Sequence, residues 1–191
     1  GASGVILVTT VQGLKGQFRI SYDGNIGFES VYKNLDMLDR EGYISTARTR
    51  GLSYNDGGED NDFPAAITRT GFIQNHHLAF TGGNEQANYR ASVSIMEHQM
   101  PVKANEYRNF TAKFDLMQQA FDHWLTINFG VFGSSLANKK IFDTQRLFYS
   151  AASQNPTFSA HRNASGGWDV NTLASQIAHP MALLLQKDDE R

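Results

Sequence analysis

The chain has 191 residues, of which 40% are hydrophobic and 19% charged, and its 17 basic and 19 acidic side chains give a formal net charge of −2. This near balance provides no long-range attraction to nucleic acid, so a nucleic-acid partner is not expected. The chain contains no cysteine, which excludes a disulfide scaffold, a thiolate metal site and a thiol nucleophile.

The first predicted element is the apolar run Gly4–Thr10, which suits a short strand buried on both faces. No basic segment precedes it, so we expect no signal peptide, and the chain reads as a piece of a longer protein. No stretch approaches the about 20 consecutive apolar residues that a transmembrane helix needs. A search for long apolar runs does not detect the strands of a transmembrane β-barrel, because these strands need no such run.

The next stretch, residues 17–32, alternates more strictly than any other part of the chain. Its even positions are mostly aromatic or aliphatic and its odd positions polar or charged. Because successive side chains of a strand point to opposite faces, this pattern predicts one long strand with one apolar and one polar face. Such a length exceeds the usual strand of about 5–6 residues and is typical of a large barrel.

Residues 33–69 interrupt the alternation. Within them, Leu35–Arg48 is a predicted short helix, with Asp36 or Asp39 as the N-cap and Gly51 as the stop signal. A polar, glycine-rich loop follows over residues 53–62 and contains four acidic side chains.

Alternation returns in four further predicted strands, at residues 71–81, 87–95, 110–116 and 125–131. A tight turn is predicted at residues 82–85, a medium loop near Pro101 and a short connection at residues 118–122. Beyond Ser134 we expect regularity to fade, apart from helical patches at residues 146–153 and 172–178.

The connection lengths therefore run long, short, medium, short, long, which places every long connection at one end of the sheet. Transmembrane β-barrels combine short periplasmic turns with longer extracellular loops in this way. The fold class predicted is all-β, an antiparallel meander of about five to six long strands with short helices in the loops, forming part of a large transmembrane barrel. A soluble antiparallel sandwich stays open as the alternative.

Eight segments of the chain form a familiar series of motifs: Gly1–Thr10, Ile20–Asn25, Leu35–Asp39, Ile67–Phe72, Gln74–His76, Ala79–Glu85, Asn88–Ser92 and Asn155–Thr157. These motifs resemble those of the SusC/RagA-type TonB-linked outer-membrane transporters, in the order in which that family has them. Departures occur at Val11, where the family usually has a basic residue, and at Phe63, where a tryptophan is common.

This resemblance implies the last strand of a plug domain in residues 1–13 and the first barrel strands with their extracellular loops in residues 14–191. The parent would import glycans, oligopeptides or other bulky nutrients across the cell outer membrane, with TonB and a SusD-like lipoprotein as partners and lipid around the barrel. The chain alone would be neither transport-competent nor an enzyme, would need no cofactor and would self-associate. The alternatives are a soluble β-sandwich carbohydrate-binding module and a structural fragment without activity.

The sequence contains few candidate residues for metal binding or catalysis. His76 and His77 are adjacent in a strand, so they point to opposite faces and cannot chelate one ion. The acidic loop lacks the alternating ligand spacing of a calcium-binding EF-hand loop. No catalytic motif occurs, and the polar-face charges, which resemble the wetted wall of a channel, are Arg19, Asp23, Arg90, Lys113 and Asp115.

Two aromatic residues of the long tail, Tyr149 and Trp168, are the candidate substrate-contacting residues, because exposed aromatic rings can stack on sugars. We expect the long loops not to be held in place without the rest of a barrel. Ordering them would then cost roughly 1–2 kcal/mol per residue, which would keep glycan affinity weaker than millimolar.

Overall fold

The computed structural model describes residues 16–33, 35–122 and 124–190. The predicted strand Gly4–Thr10 and the predicted plug segment 1–13 lie outside these residues. Within the described ranges, no helix is both long enough and apolar enough to cross a membrane.

Five long strands form one sheet in chain order: β1 (Gly16–Glu29), β2 (Gly71–Gly83), β3 (Ala87–Gln99), β4 (Glu106–Ala120) and β5 (Leu125–Ile141). A short strand, β6 (Lys187–Glu190), pairs antiparallel with the end of β5, where Ile141 lies opposite Lys187. Each strand is bonded to the next one along the chain. The predicted all-β, antiparallel meander is confirmed.

Most strands extend beyond the predicted residues, with β2 reaching Gly83, β3 reaching Gln99 and β4 spanning Glu106–Ala120, whereas β1 ends early. β1 ends at Glu29, three residues before the end of the alternating pattern at Tyr32. β5 continues to Ile141, although regularity was expected to fade after Ser134. The strands can outlast the alternation, as β5 does, because a sheet ladder is made by backbone groups, which can pair even where the side-chain pattern has stopped.

The connection between β2 and β3 is the tight turn that the sequence predicts. The Asn84 backbone N–H donates to the Ala87 carbonyl (2.6 Å), and the Asn84 side-chain oxygen accepts from the backbone N–H groups of Gln86 and Ala87. Gly83 has a φ of +155°, a conformation that side chains rarely adopt. The remaining connections are short at 121–124, medium at 100–105 and long at 30–70 and 142–186.

Side-chain contacts confirm the predicted facing of the strands. Phe18 stacks on Phe80 with ring centroids 6.2 Å apart, and Phe114 meets Phe129 at 6.4 Å. The "apolar face" therefore carries the even positions of β1, β2 and β4 and the odd positions of β3 and β5. Its large, exposed side chains include Phe18, Ile20, Tyr22, Ile26, Phe28, Val93, Ile95, Phe110, Phe114, Ile127, Phe129 and Val131. The opposite side is the "polar face".

Helix α1 (Arg40–Thr49) starts later than the predicted Leu35. Asp39, one of the two candidate caps, accepts from the Gly42 N–H at 2.7 Å, and Gly51 follows the helix with a φ of +64°. The other helices are α2 (Phe63–Ala66), α3 (Thr144–Ser153) and α4 (Pro180–Leu183).

The tail is only partly helical. Helix α3 confirms the predicted patch at residues 146–153, and Asp143 caps it by accepting from the Arg146 N–H. The predicted helix at residues 172–178 is wrong, because this segment forms consecutive turns. Asn171 explains part of this difference, since its side chain accepts from the Leu173 N–H and so competes with helical backbone bonding.

By its contacts the chain divides into two compact units, each of which is described by itself. The first comprises the described residues within 1–25, 74–96 and 109–135, which are strand segments and the short turns between them. The second comprises the described residues within 26–73, 97–108 and 136–191 and contains all four helices. Its hydrophobic core consists of Phe63, Ile67, Ile141, Leu147, Ala151, Phe158, Leu183 and Leu184.

Candidate functional site

The two long connections, 30–70 and 142–186, pack on each other through this core. Phe63 and Ile67 of the first connection lie in the same cluster as Leu147, Phe158 and Leu183 of the second. Both Phe63 and Ile67 are almost completely buried. The expectation that the loops are not held in place is therefore wrong for this pair of connections.

A polar network joins the same connections beside the core. The Asn55 carbonyl accepts from the Asn155 side-chain amide at 2.8 Å and from the Thr157 hydroxyl at 3.2 Å. The Gly57 N–H donates to the Thr157 hydroxyl, and the Glu59 N–H donates to the Thr157 carbonyl. Because Thr157 is fully buried, these bonds lie where water cannot easily replace them.

The acidic loop at residues 56–62 is part of this packing. Asp56 accepts two bonds from the Arg40 guanidinium, at 2.9 and 2.7 Å, and this bonding lowers the pKa of the Asp56 carboxyl and raises the pKa of Arg40. Asp60 accepts from the Arg40 backbone N–H, and Asp62 caps α2 through the Ala65 N–H. Within the described residues, no group of three or more His, Asp or Glu side chains could hold a metal ion.

Next to the acidic loop lies a cleft of about 530 Å³ that the sequence did not indicate. Its walls come from α1 and from the loop, and its lining residues are Arg40, Glu41, Ile44, Ser45, Arg48, Asp56 and Asp60. The cleft is open and highly charged, and the Nε–H of Arg48, one of its lining residues, donates to the Tyr54 hydroxyl at 3.0 Å. No local periodicity could have predicted it, because it depends on how the loop folds back on α1.

Trp168, one of the two predicted substrate-contacting residues, is half-buried and has two ring partners. His179 stacks against it with centroids 4.9 Å apart, and the Arg162 guanidinium carbon lies 5.2 Å from the ring centroid. A ligand that stacks on this indole would have to share it with these groups.

His179 fixes this region to the core. Its Nε2 lies 3.1 Å from the Ser159 carbonyl, its Nδ1 accepts from the Met181 N–H, and its ring meets Phe63 edge-on at 5.4 Å. Burial lowers the pKa of His179, since the charged imidazolium loses hydration there. Trp168 therefore packs against other side chains of the chain, in addition to its predicted contact with a substrate.

Tyr149, the other predicted substrate-contacting residue, lies on α3 and is 66% exposed. Its neighbours Leu147 and Ser150 are buried, so α3 presents Tyr149 on its outer side. Among the described ring contacts, none joins Tyr149 to Trp168. Whether either residue contacts a substrate stays a prediction.

The paired histidines of β2 behave as the alternation predicts. His76 bonds the Tyr22 hydroxyl through Nδ1 at 2.6 Å on the apolar face, whereas His77 bonds the Ser94 hydroxyl at 2.6 Å on the polar face. The two imidazoles therefore do not share a ligand.

The polar face carries the charged residues that the sequence singles out. Lys113 and Asp115, two positions apart on β4, form an ion pair at 2.9 Å. Arg19 and Asp23 occupy exposed odd positions of β1, and Arg90 is half-buried on β3. A polar, half-buried wall of this composition has the chemistry of a wetted surface.

The chain is similar over its whole length to two receptors. It is 26% identical over 100% of its length to TonB-dependent receptor P3 of Formosa agariphila, of which it covers 20%. It is 28% identical over 99% of its length to TonB-dependent receptor SusC of Bacteroides thetaiotaomicron, of which it covers 21%. No protein-family model matches the chain.

The chain thus spans about a fifth of the length of the curated relatives that it matches. Both relatives are TonB-dependent receptors, one of them SusC itself, and the match extends from one end of the chain to the other. The resemblance to SusC-like TonB-dependent receptors is confirmed.

Proposed function

We propose that the chain forms part of the wall of a TonB-dependent transporter in the cell outer membrane, with residues 14–191 in its barrel and residues 1–13 in its plug. The observation that carries this proposal is the consistent division of five consecutive strands into an apolar and a polar face. Such a division needs an apolar medium on one side of the sheet and water on the other.

The dimensions of the apolar face support a lipid contact. On β1 it runs from Phe18 to Phe28, which is roughly 33 Å at about 3.3 Å per residue. Tilted by about 40°, as barrel strands are, this length covers roughly 25 Å along the membrane normal, which is the height of the apolar band of outer-membrane barrels. Phe28 is 75% exposed, a costly arrangement for so large a ring in water.

The polar face then lines the transport path. Its Lys113–Asp115 pair and the hydroxyl, amide and imidazole groups around it can hydrogen-bond a hydrated solute. The wall acts by contact and exclusion, without catalysis, and needs no cofactor. Energy for transport comes from TonB through other parts of the parent.

The two long connections lie at the end of the sheet opposite the short turns, which in this orientation is the extracellular end. Because their shared core already orders both connections, a ligand that binds there does not have to supply the free energy of ordering that free loops would require. This surface is where a SusD-like lipoprotein and a substrate would meet the transporter. The proposed substrate is a glycan, by similarity to SusC, or another bulky nutrient such as an oligopeptide, with Tyr149 and Trp168 as its contacts.

The absence of cysteine allows a direct test of the facing. Single cysteines at Ile127 (apolar face) and Asn128 (polar face) are labelled with a fluorophore, and the chain is reconstituted in phosphatidylcholine vesicles. We expect spin-labelled lipid to quench the fluorophore at position 127 and aqueous iodide to quench the one at position 128. Equal quenching of both positions by either agent would overturn the proposal.

A further inference from the structure

Five charged side chains form a cluster on the apolar face, close to the 100–105 connection. Arg108 pairs with Glu97 at 2.7 Å, and Glu106 pairs with both Lys139 at 3.3 Å and Arg69 at 3.6 Å. No pattern in the sequence singles out these residues. Four of them occupy apolar-face positions of β3, β4 and β5, whereas Arg69 lies in the 30–70 connection, two residues before β2. We call this group the rim cluster.

Four members of the rim cluster, all but Arg69, line a cavity of about 90 Å³. This volume holds several water molecules, and a group of similar size such as a phosphate can replace them. The lining residues are Glu97, His98, Gln99, Glu106, Tyr107, Arg108, Ala137 and Lys139.

Among its described side chains the rim cluster has three cations, Arg69, Arg108 and Lys139, and two carboxylates, Glu97 and Glu106. Arg108 uses its Nε–H for Glu97 and has a 70% exposed side chain, while the Lys139 side chain is 47% exposed. Exposed ion pairs of this kind contribute little stabilising free energy, so an anion of higher charge density can compete with the two glutamates for Arg108 and Lys139. Guanidinium groups bind phosphate oxygens in a bidentate manner, and the lysine adds a point charge.

The strands that carry the cluster also indicate where the anion comes from. On β4 the same face carries Arg108 and then, two residues further, Phe110; on β3 it carries Ile95 and then Glu97. A ligand matched to this order has an anionic end followed by an apolar body. A phospholipid has this arrangement of headgroup and acyl chains, whereas free phosphate has no apolar part to contact the apolar positions.

We propose that the rim cluster binds the phosphate of a membrane lipid headgroup through Arg108 and Lys139. This inference rests on the proposed function, because it requires lipid against the apolar face. Glu97 and Glu106 hold the two cations in position and limit the affinity, since each competes with the phosphate for them.

The test compares two lipids in neutral maltoside micelles, dioleoylphosphatidylglycerol and dioleoylglycerol, which lacks the phosphate. Bound lipid is counted by native mass spectrometry on the chain, on the Arg108→Gln/Lys139→Gln variant and on Lys140→Gln, a control one residue away on the polar face. We expect the chain to bind more of the phospholipid than of dioleoylglycerol. The amount of bound phospholipid should be roughly tenfold lower in the double variant. The Lys140→Gln control should bind as much phospholipid as the unaltered chain.

A second variant separates binding from folding. Glu97→Gln removes a competitor for Arg108, so it should raise phospholipid retention, a gain that misfolding cannot produce. Equal retention of both lipids by the chain, or an unchanged double variant, would overturn the inference while leaving the proposed function intact. Full displacement by millimolar inorganic phosphate would also overturn it, in favour of a free-anion site. Retention of neither lipid would contradict the proposed function itself.

Discussion

At the scale of single residues, the packing of the two long connections depends on positions where no side chain fits. Gly57 is the clearest example, because a Cβ there would overlap the Thr157 carbonyl oxygen and come within 2.8 Å of the Phe158 ring. Both neighbours are part of the buried network, so neither can move without loss of a hydrogen bond or of core packing.

We therefore expect Gly57→Ala to lower the free energy of unfolding by about 1–3 kcal/mol, as overpacking usually does. The matched control is Gly133→Ala, since nothing lies within 4 Å of the Cβ at that position. Denaturant titration monitored at the tryptophans measures both. Equal stabilities of the two variants would show that the Asn55–Thr157 network does not constrain the loop.

His179 makes the stability of the same region depend on pH. Its pKa in the folded chain lies below the ordinary value of 6.5, so folding favours the neutral imidazole. Its contribution is fully present above about pH 6.5 and is lost as the pH falls through that value towards the folded pKa. Protonation would also remove Nδ1 as the acceptor for the Met181 N–H.

Unfolding midpoints measured from pH 8 to pH 5 should fall for the unaltered chain and fall less for His179→Gln. His161→Gln, an exposed histidine of the same connection, should behave like the unaltered chain. A His179→Gln profile parallel to that of the unaltered chain would exclude His179 as the cause.

At the scale of elements, the sequence predicts the strands well and the loop packing poorly, for a physical reason. Alternation is a local signal, so β1 and its facing can be read from neighbouring residues. The contacts that hold the loops join residues about a hundred positions apart, as Asn55 and Asn155 do. Neither residue carries a pattern that indicates its partner, and the Arg40 cleft and the rim cluster were missed for the same reason.

Helix α1 provides a test at this scale, because the sequence left two caps open. Of these two candidates it is Asp39 that accepts a bond from the first turn, at the Gly42 N–H, so Asp39→Ala should cost about 0.5–2 kcal/mol of stability. Asp36→Ala should change stability by less than about 0.5 kcal/mol, as surface substitutions usually do. Thermal unfolding followed by circular dichroism distinguishes them, and a larger loss at Asp36 would contradict the assigned start of α1.

At the scale of the whole molecule, the sheet has β1 at one edge and β6 at the other, and within the described residues β1 has a strand partner on one side alone. An unpaired edge is a template for another chain, and the exposed phenylalanines of the apolar face add a hydrophobic drive for association. The remainder of a barrel and its lipid would remove both features, whereas a carbohydrate-binding sandwich would not show them.

We therefore expect the isolated chain to self-associate in detergent-free buffer and to become dispersed in detergent. Light scattering over a wide concentration range measures this. A monodisperse monomer without detergent would favour the sandwich alternative.

The central claim is that one face of the sheet meets lipid and the other meets water, and adjacent residues of β1 test it most directly. In the longer protein from which we propose the chain derives, Ile26→Arg places a charge on the apolar face and Asn25→Arg places it on the polar face. Folding into phosphatidylcholine bilayers, followed by denaturant titration, gives the two unfolding free energies. The account predicts a loss of about 2–4 kcal/mol for Ile26→Arg near the bilayer midplane and a much smaller loss for Asn25→Arg. Equal losses at the two positions would contradict it.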